Sequence, residues 1–258
     1  MKQRNVTLCL LLMLAVSTVR GGDVLSAARS FLGVPYVAGT LEGEGEERLV
    51  VNTDSLDCTT FVELSVARWR AWKSDSVSFE EQVRNLRYRD GVVDGYLSRL
   101  HYFTDWVAEN AHRGVWYELA PGENEGVWRC DTLTLSFMSK HPQSYPYLKE
   151  NDWAVESMKT IEGWYADFPV CYIDKQFLNL PPSALPIRNG DILALVTTLE
   201  GLDVTHLGFA VWKDDALHLM HASMTHGRVV VDERTLYDYL KARKSCPGVR
   251  VVRLNDEN

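Results

Sequence analysis

The last third of the chain consists of short segments rich in β-branched and aliphatic residues, and this pattern constrains the fold more than any other feature. Each segment has the length of a single strand, and turn residues separate neighbouring segments. The predicted strands are residues 191–199, 206–212, 216–222, 228–232 and 249–254. The segments before them are more often helical in their periodicity. Helices first and clustered strands last predict an α+β fold with an antiparallel sheet.

The part of the chain before these strands contains several predicted helices. A short helix is predicted over residues 23–32, because Gly33 and Pro35 end the helical pattern there. A second helix is predicted from Cys58 to Trp72, because its apolar residues lie on one broad face. The segment 75–186 is predicted to be a large, mainly helical insertion. Its helices are FEEQVRNLRYR and YLKENDWAVESMKTIEGWY, with irregular, aromatic-rich stretches between them.

The first 22 residues have the layout of a secretory signal peptide. Positive charges in MKQR precede the apolar run VTLCLLLMLAV, and small residues follow. The apolar run is too short to span a bilayer, so we expect no stable membrane insertion. We therefore expect residues 1–22 to direct secretion across the inner membrane, and residues 23–258 to form a single domain in the periplasm.

Charge and cysteine spacing argue against two kinds of site. The formal net charge of −8 argues against a nucleic-acid partner, because such binding depends on Lys and Arg side chains that neutralise phosphates. The sequence contains neither a CxxC pair nor an HExxH motif, so no metal site is predicted. Outside the predicted signal peptide the cysteines are Cys58, Cys130, Cys171 and Cys246. This even number is compatible with two disulfides in an exported protein, and Cys130–Cys171 is one candidate bridge.

The segment DCTTFVE at residues 57–63 places a cysteine at the start of the second predicted helix. Ser55 or Asp57 could cap this helix, because a side-chain oxygen accepts the unpartnered amide hydrogens of a helix start. Those amides and the positive end of the helix dipole favour the thiolate of Cys58, which is the nucleophilic form. The dipole supplies only about 0.3–1 kcal/mol, which is less than about one pKa unit. A strong nucleophile therefore needs a histidine partner, and without one Cys58 reads as a small buried apolar residue.

His206 is the candidate partner of Cys58. It begins the predicted strand in THLGFAVW, and its neighbours on the same face are Gly208 and Ala210, which are both small. Small side chains leave room for another element, and we expect that element to be the helix that carries Cys58. A histidine without chemistry, in the core or on the surface, is the alternative for each histidine taken alone.

A second histidine, His221, has the strand parity to support His206. If the turn around residues 214–215 is a loop of two or four residues, Gly208 pairs with His221. His206 and His221 then become diagonal neighbours on one face, roughly 7–8 Å apart between backbones. His221 would orient and polarise His206, as the third member of a nucleophile–base–orienter set. A loop of three residues would break this arrangement, and His218 has the opposite parity and should point away.

Several blocks of the sequence resemble the NlpC/p60 cysteine peptidases, which are papain-like. The blocks are LGVPYVAGT, DCTTFVE, NGDILALVT, and THLGFAVW followed by LHLMHAS. Together with GYLSRLHYFTDW and GLDVTHLGF, they more narrowly resemble the branch with N-acetylmuramoyl-L-alanine amidase activity, long catalogued as domain of unknown function 1460. The resemblance covers most of the chain that follows the predicted signal peptide, and the order and combination of the blocks make it specific.

The resemblance implies a role for five residues in a single catalytic domain. It implies a papain-like α+β core in which a helix carries the cysteine and a strand carries the histidine. Cys58 matches the nucleophile, His206 matches the general base, and His221 matches the third, polar residue. Tyr36, in VPY, matches a tyrosine that lies beside the nucleophile and helps to hold substrate or oxyanion. Asp57 either contacts substrate or caps the helix.

The narrower branch also implies a substrate. It implies cleavage of the amide between N-acetylmuramic acid and L-alanine in peptidoglycan fragments, with no metal ion or organic cofactor. The stretch between Cys58 and His206 is much longer than in minimal members of the superfamily, and the usual WGG after the tyrosine reads AGT here. The insertion would wall off the cleft and recognise the sugar, with Arg99 and His101 as candidate contacts.

Two other functions are compatible with the same residues. One is an endopeptidase of the same superfamily that cuts γ-D-glutamyl–diamino-acid bonds with the same catalytic residues but different cleft contacts. The other is a non-catalytic protein that binds the cell wall and has kept the fold.

Overall fold

A computed structural model describes residues 22–43, 46–122 and 125–255 of the chain. The predicted signal peptide at residues 1–22 lies outside this part of the chain, apart from its last residue. The helices are α1 (Val24–Arg29), α2 (Cys58–Lys73), α3 (Phe79–Arg87), α4 (Phe103–His112), α5 (Phe137–Lys140), α6 (Pro146–Lys149), α7 (Asp152–Gly163) and α8 (Leu236–Lys241). The strands are β1 (Trp116–Glu118), β2 (Trp128–Leu133), β3 (Phe168–Asp174), β4 (Ile192–Val196), β5 (Val204–Lys213), β6 (Ala216–Ser223), β7 (Arg228–Val231) and β8 (Gly248–Leu254). Within the described ranges, no helix combines the length and the apolar character that a membrane span needs.

The strands form one sheet. Their order is β2-β3-β8-β4-β5-β6-β7, and β1 pairs with β8 outside this path. Each of the strand pairs is antiparallel. Strands β4 to β8 correspond to the five strands predicted in the last third of the chain. The predicted α+β class with an antiparallel sheet is therefore confirmed.

The segment 75–186 contains strands as well as helices. It forms α3 to α7, but it also forms β1, β2 and β3. Strands β1 and β3 pair with β8, and β2 pairs with β3. Helix α4 and strand β1 lie where the sequence pattern looked irregular. Helix α4 begins without a side-chain cap, and β1 has only three residues, so neither has a strong local signal. The prediction of a mainly helical insertion was therefore incomplete, because part of the segment extends the sheet.

A disulfide joins Cys130 in β2 to Cys171 in β3. The two residues lie directly opposite each other in the antiparallel pair. Cys58 and Cys246 are free thiols, and the thiol of Cys246 is buried. The candidate bridge is therefore present, and the alternative with two disulfides among these four cysteines is wrong.

Helix α2 packs against one face of the central strand β5. Leu207 and Phe209 of β5 belong to the same buried cluster as the apolar residues of α2. The rings of Phe61 and Phe209 meet edge to face, with their centroids 5.6 Å apart. This contact fixes the first turns of α2 beside the beginning of β5.

The face that α2 covers is not the face predicted from the small residues of β5. Successive side chains of a strand point to opposite faces, and Ala210 lies in a second buried cluster that includes Leu236 and Leu240 of α8. A Cβ atom at Gly208 would lie 2.7 Å from the carbonyl oxygen of Met220 in β6. Gly208 is thus small because the backbone of β6 approaches it, and the expectation that α2 packs over Gly208 and Ala210 is wrong.

Candidate active site

Helix α2 begins at Cys58 because Asp57 caps it. The Asp57 carboxylate accepts hydrogen bonds from the amide of Thr60 at 2.8 Å and from its hydroxyl at 2.9 Å. The Thr60 hydroxyl oxygen in turn accepts the amide hydrogen of Asp57 at 2.9 Å. This reciprocal capping box satisfies two of the donors that a helix start leaves unpaired. Asp57 rather than Ser55 is therefore the cap, and Cys58 occupies the first helical position.

The sulfur of Cys58 lies beside the beginning of β5. The backbone amides of Leu207 and Thr59 and the Thr59 hydroxyl lie close enough to this sulfur to favour its thiolate. No acceptor for the amide hydrogen of Cys58 itself is found in the described part of the chain. The contact with Leu207 joins α2 to the strand residue that directly follows His206, so the two predicted partners lie at the same junction.

The hairpin of β5 and β6 brings His206 and His221 together. Asp214 and Asp215 form its two-residue loop, and both have the positive φ angles, 49° and 60°, that a tight hairpin turn requires. The register pairs Phe209 with Met220, which puts His206 and His221 on one face. His206 Nε2 lies 2.5 Å from His221 Nδ1, at hydrogen-bonding distance. The expected register, and the contact that depended on it, are therefore present.

Asp232 lies behind His221 and was missed in the sequence. It directly follows β7, and its amide donates to the carbonyl oxygen of Leu219 in β6 at 2.9 Å. This register puts the Asp232 carboxylate on the same face as His221, with Oδ2 3.6 Å from His221 Nε2. Arg234 holds the carboxylate from the other side, with Nη2 2.8 Å from Oδ2 and Nε 3.0 Å from Oδ1. The signal that could have found it is the acidic residue that ends RVVVD, once β7 is paired with β6.

A cavity of about 270 Å³ opens at the junction of α2 and β5. Five of the residues singled out in the sequence analysis line it: Asp57, Cys58, Arg99, His101 and His206. Much of the remaining wall comes from the insertion: Arg87, Leu100, Tyr102, Phe103, Trp106, Met138 and Tyr145. His221 lies one layer further from the cavity, behind His206.

Tyr36 lies near Cys58 but is not among the residues that line this cavity. It is held by a short parallel bridge to Leu56, two residues before Cys58. Partial burial raises the pKa of Tyr36, and its proximity to Cys58 and Asp57 raises it further. The phenol is thus close enough to interact electrostatically with these groups, and it stays protonated at neutral pH.

Arg99 and His101 have partners within the protein. Arg99 pairs with Glu42 at 2.9 Å, and its side chain is only 6% exposed. The Nε2 atom of His101 lies 2.8 Å from the carbonyl oxygen of Tyr96, so this nitrogen carries the hydrogen. Burial and the charge of Arg99 lower the pKa of His101 to about 3. His101 is therefore neutral in the cavity wall, and its Nδ1 is a hydrogen-bond acceptor.

A buried ion pair that the sequence analysis did not predict also lines the cavity. Two guanidinium nitrogens of Arg87 donate to one oxygen of Glu63, at 2.8 and 2.6 Å. The two side chains are only 3% and 2% exposed. Burial raises the pKa of Glu63 even though Arg87 lowers it. The pair joins α2 to α3 beneath the cavity.

The electrostatics of the junction favour a neutral thiol and a neutral imidazole at rest. Burial and the charge of Asp57 raise the pKa of Cys58 to about 11, and they outweigh the amide hydrogen bonds to its sulfur. Burial and the neighbouring His221 lower the pKa of His206 to about 3. The amides near the sulfur favour the thiolate as expected, but removal of the sulfur from water and the charge of Asp57 oppose it more strongly.

The rate of alkylation of Cys58 is expected to reflect this raised pKa. Because only the thiolate reacts, the rate with iodoacetamide should rise about tenfold per pH unit between pH 7 and 9.5. Mass spectrometry of the peptide that contains Cys58 measures the rate, and a Cys246→Ala variant is the control for the other free thiol. A rate that is already maximal at pH 7 would instead show a thiolate–imidazolium pair at rest.

Comparison with known proteins places the chain in a group of similar folds. The family model for AmiA-like proteins, described as N-acetylmuramoyl-L-alanine amidase-like, matches residues 26–249. The crystal structure of an N-acetylmuramoyl-L-alanine amidase from Bacteroides uniformis is 40% identical in sequence, with a TM-score of 0.83, and the match covers 91% of this chain and 98% of that one. A crystal structure described as a putative xylanase from Bacteroides fragilis is also 40% identical, with a TM-score of 0.81, over 89% of this chain and 100% of that one.

A more distant structure has the same fold. It is a protein from Legionella pneumophila, described by the family model DUF1460, which is 23% identical with a TM-score of 0.67, over 90% of this chain and 87% of that one. At this identity the similarity concerns the fold alone. No curated protein matches the chain.

Proposed function

The chain belongs to the AmiA-like, N-acetylmuramoyl-L-alanine amidase-like family, and on that basis we propose that it is a cell-wall amidase with Cys58 as its nucleophile. The proposed reaction is hydrolysis of the amide between N-acetylmuramic acid and L-alanine in a peptidoglycan fragment. The observation that carries the proposal is the junction of α2 and β5. There Cys58 and His206 line one cavity, and His206 Nε2 lies against His221.

The arrangement supports a nucleophile–base–orienter mechanism. His206 takes the thiol proton of Cys58 as the sulfur attacks the carbonyl carbon of the lactyl group. The C–N bond then breaks, and His206 gives its proton to the nitrogen of L-alanine, which leaves a thioester on Cys58. Water then gives a proton to His206 and attacks the thioester. The C–S bond breaks, the lactyl group leaves as a carboxylic acid, and His206 returns the proton to the Cys58 sulfur. No metal ion or organic cofactor takes part in these steps.

The amide hydrogen of Cys58 is the proposed oxyanion donor. The neighbouring donors at the start of α2 are already engaged, because Thr60 and Asp57 satisfy each other and the amide of Thr59 lies beside the Cys58 sulfur. A donor that is fixed in place and lacks an acceptor is suited to the charge that develops in a tetrahedral intermediate. The phenol of Tyr36 is a second candidate, and it can donate because its pKa is raised.

The insertion is the proposed recognition element. Its residues form much of the cavity wall, and the neutral His101 offers an acceptor nitrogen at neutral pH. Such a group suits the hydroxyl and acetamido N–H donors of an amino sugar, whereas it would not attract a carboxylate. Arg99 is already paired with Glu42, so we assign it to shaping the wall and His101 to contacting the sugar.

A glycosidase mechanism is less well supported by the cavity, although one relative is described as a putative xylanase. Glycosidases use a pair of carboxyl groups that flank the scissile bond. The carboxylates that line the cavity all have partners: Glu42 with Arg99, Asp57 with Thr60, Glu63 with Arg87, and Asp203 with the amides of Thr104 and Val204. The cysteine and the two histidines have no role in that mechanism.

Three further parts of the proposal go beyond the cavity. The helix-borne cysteine and the antiparallel sheet support a papain-like core of the NlpC/p60 type. The sequence of residues 1–22 supports a signal peptide and a periplasmic location, where peptidoglycan is the available substrate. Residues 23–258 would then act as a single catalytic domain.

Product masses from one defined muropeptide test the proposed function. The purified protein, incubated with a disaccharide that carries a tetrapeptide, is expected to release a free peptide beginning with L-alanine and a disaccharide with a free lactyl carboxylate. Added chelator should leave the rate unchanged. A disaccharide that still carries L-alanyl-D-glutamate would identify the endopeptidase instead, and binding without any product would identify a non-catalytic cell-wall protein.

A further inference from the structure

The contact between His206 and His221 can exist with its proton on either ring. The two nitrogens lie 2.5 Å apart, so one of them must donate and the other must accept. The choice matters because a neutral imidazole carries one proton on its two nitrogens. If His206 Nε2 donates, His206 Nδ1 is bare and can take a proton. If His221 Nδ1 donates, His206 Nδ1 carries the hydrogen and cannot act as a base.

The other nitrogen of His221 determines which arrangement is present. His221 is fully buried, and its Nε2 atom has no hydrogen-bond partner among the residues that the structure describes. Oδ2 of Asp232 lies 3.6 Å from this nitrogen. A bare nitrogen facing a carboxylate would bring two lone pairs together, whereas an N–H there points its hydrogen at the negative charge. The geometry therefore favours a hydrogen on His221 Nε2.

Asp232 is held as an ionised carboxylate. Its side chain is 2% exposed, which by itself would favour the protonated carboxyl group. The two hydrogen bonds from the Arg234 guanidinium and one from its backbone amide outweigh burial and lower the pKa of Asp232 to about 2. A carboxylate with no proton can only accept. The carboxylate is therefore anchored by Arg234 and presents acceptor oxygens to His221.

From this chain of contacts we infer that Asp232 is a positioning residue that fixes the tautomers of both histidines. Asp232 holds the hydrogen of His221 on Nε2, so His221 Nδ1 is bare and accepts the hydrogen of His206 Nε2. His206 Nδ1 is then left bare to take the thiol proton of Cys58. Asp232 does not touch substrate, and it neither gains nor loses a proton in the reaction. The inference rests on the proposed function only for the role given to Cys58.

An Asp232→Asn variant is expected to reverse the direction of these hydrogen bonds with almost no change in the shape of the side chain. The amide NH2 of asparagine can donate to His221 Nε2, which would move the hydrogen of His221 to Nδ1 and that of His206 to Nδ1. We expect kcat on a muropeptide to fall by at least about 10³-fold with KM within about threefold, because loss of the correct tautomer removes the base and not the binding site. Asp232→Glu, which keeps the carboxylate, should recover part of kcat. Asp238→Asn, the same change at a partly exposed position of α8 away from the two histidines, is the matched control and should keep the wild-type kcat.

Nitrogen NMR of the imidazole rings tests the inference without any substrate. In ¹⁵N-labelled wild-type protein we expect the Nε2–H tautomer for both His206 and His221, and in Asp232→Asn the Nδ1–H tautomer for both. An Nδ1–H tautomer of His206 in the wild type, or ring signals unchanged in Asp232→Asn, would overturn the inference. The wild-type spectrum decides the question even if the variant does not fold. Because the spectrum needs no turnover, failure of the protein to cleave muropeptides would count against the proposed function alone.

Discussion

Replacing Cys58 with alanine is expected to abolish hydrolysis of the muropeptide. The thiol is the only group in the cavity that can form the proposed thioester, and without it the oxyanion donor and His206 can assist only the slow attack of water. Loss of the nucleophile in comparable hydrolases lowers kcat by about 10⁴-fold or more. Initial rates at saturating substrate, followed by liquid chromatography of the released peptide, measure the effect.

The fold should survive this substitution, because Cys58 is only partly buried and alanine is a good helix former. Circular dichroism and the thermal midpoint of the variant should therefore match those of the wild type. Cys246→Ala is the matched control, since Cys246 is the other free thiol in the described part of the chain and lies in the second buried cluster. That variant should keep its kcat. If Cys58→Ala retained more than about 1% of the wild-type kcat, the cysteine mechanism would have to be abandoned.

Replacing Arg87 with leucine is expected to have the largest effect on stability. The substitution leaves the Glu63 carboxylate 2% exposed and without its partner, and an unpaired charge of this kind costs about 3–5 kcal/mol. Urea unfolding at pH 7 measures the free energy of unfolding of the variant and of the wild type. The difference in the free energy of unfolding between variant and wild type should shrink as the pH falls. The reason is that the pKa of Glu63 is already raised in the wild type and rises further without Arg87. Below that pKa the carboxyl group is protonated and costs less to bury.

Two controls separate the unpaired charge from the loss of packing. Arg84→Leu removes an arginine from the same helix, where its ion pair with Glu81 is more than 40% exposed on both sides, and should cost less than about 1 kcal/mol. The double variant Glu63→Leu with Arg87→Leu removes both charges and should recover much of the lost stability. Equal destabilisation by the single and double variants would show that packing and not charge is responsible.

The parts of the site that could be predicted from the sequence depend on local rules. The cap at Asp57 and the cysteine at the first helical position follow from a few consecutive residues. The contact between His206 and His221 follows from strand parity and from a two-residue turn at residues 214–215, which needs two residues that tolerate positive φ.

Other features depend on contacts between distant segments, and the sequence carries no local signal for them. Asp232 reaches His221 only through the register of β7 on β6. The pairing of Cys130 with Cys171 requires that two segments of the insertion form adjacent strands. Helix α2 packs on the face that carries Leu207 and Phe209. Gly208 is small because β6 approaches it, so the size of this residue pointed to the wrong face.

Burial of the Cys58 sulfur also affects how fast this thiol would be oxidised in an oxidising environment. Because burial raises the pKa of Cys58 to about 11, little of the sulfur anion is present at pH 7. Peroxides and small disulfides attack that anion and react slowly with the protonated form. We therefore expect the sulfur to react slowly with such oxidants in the resting protein. Under the proposed mechanism it would react when a carbonyl group lies close enough for attack and proton transfer to occur together.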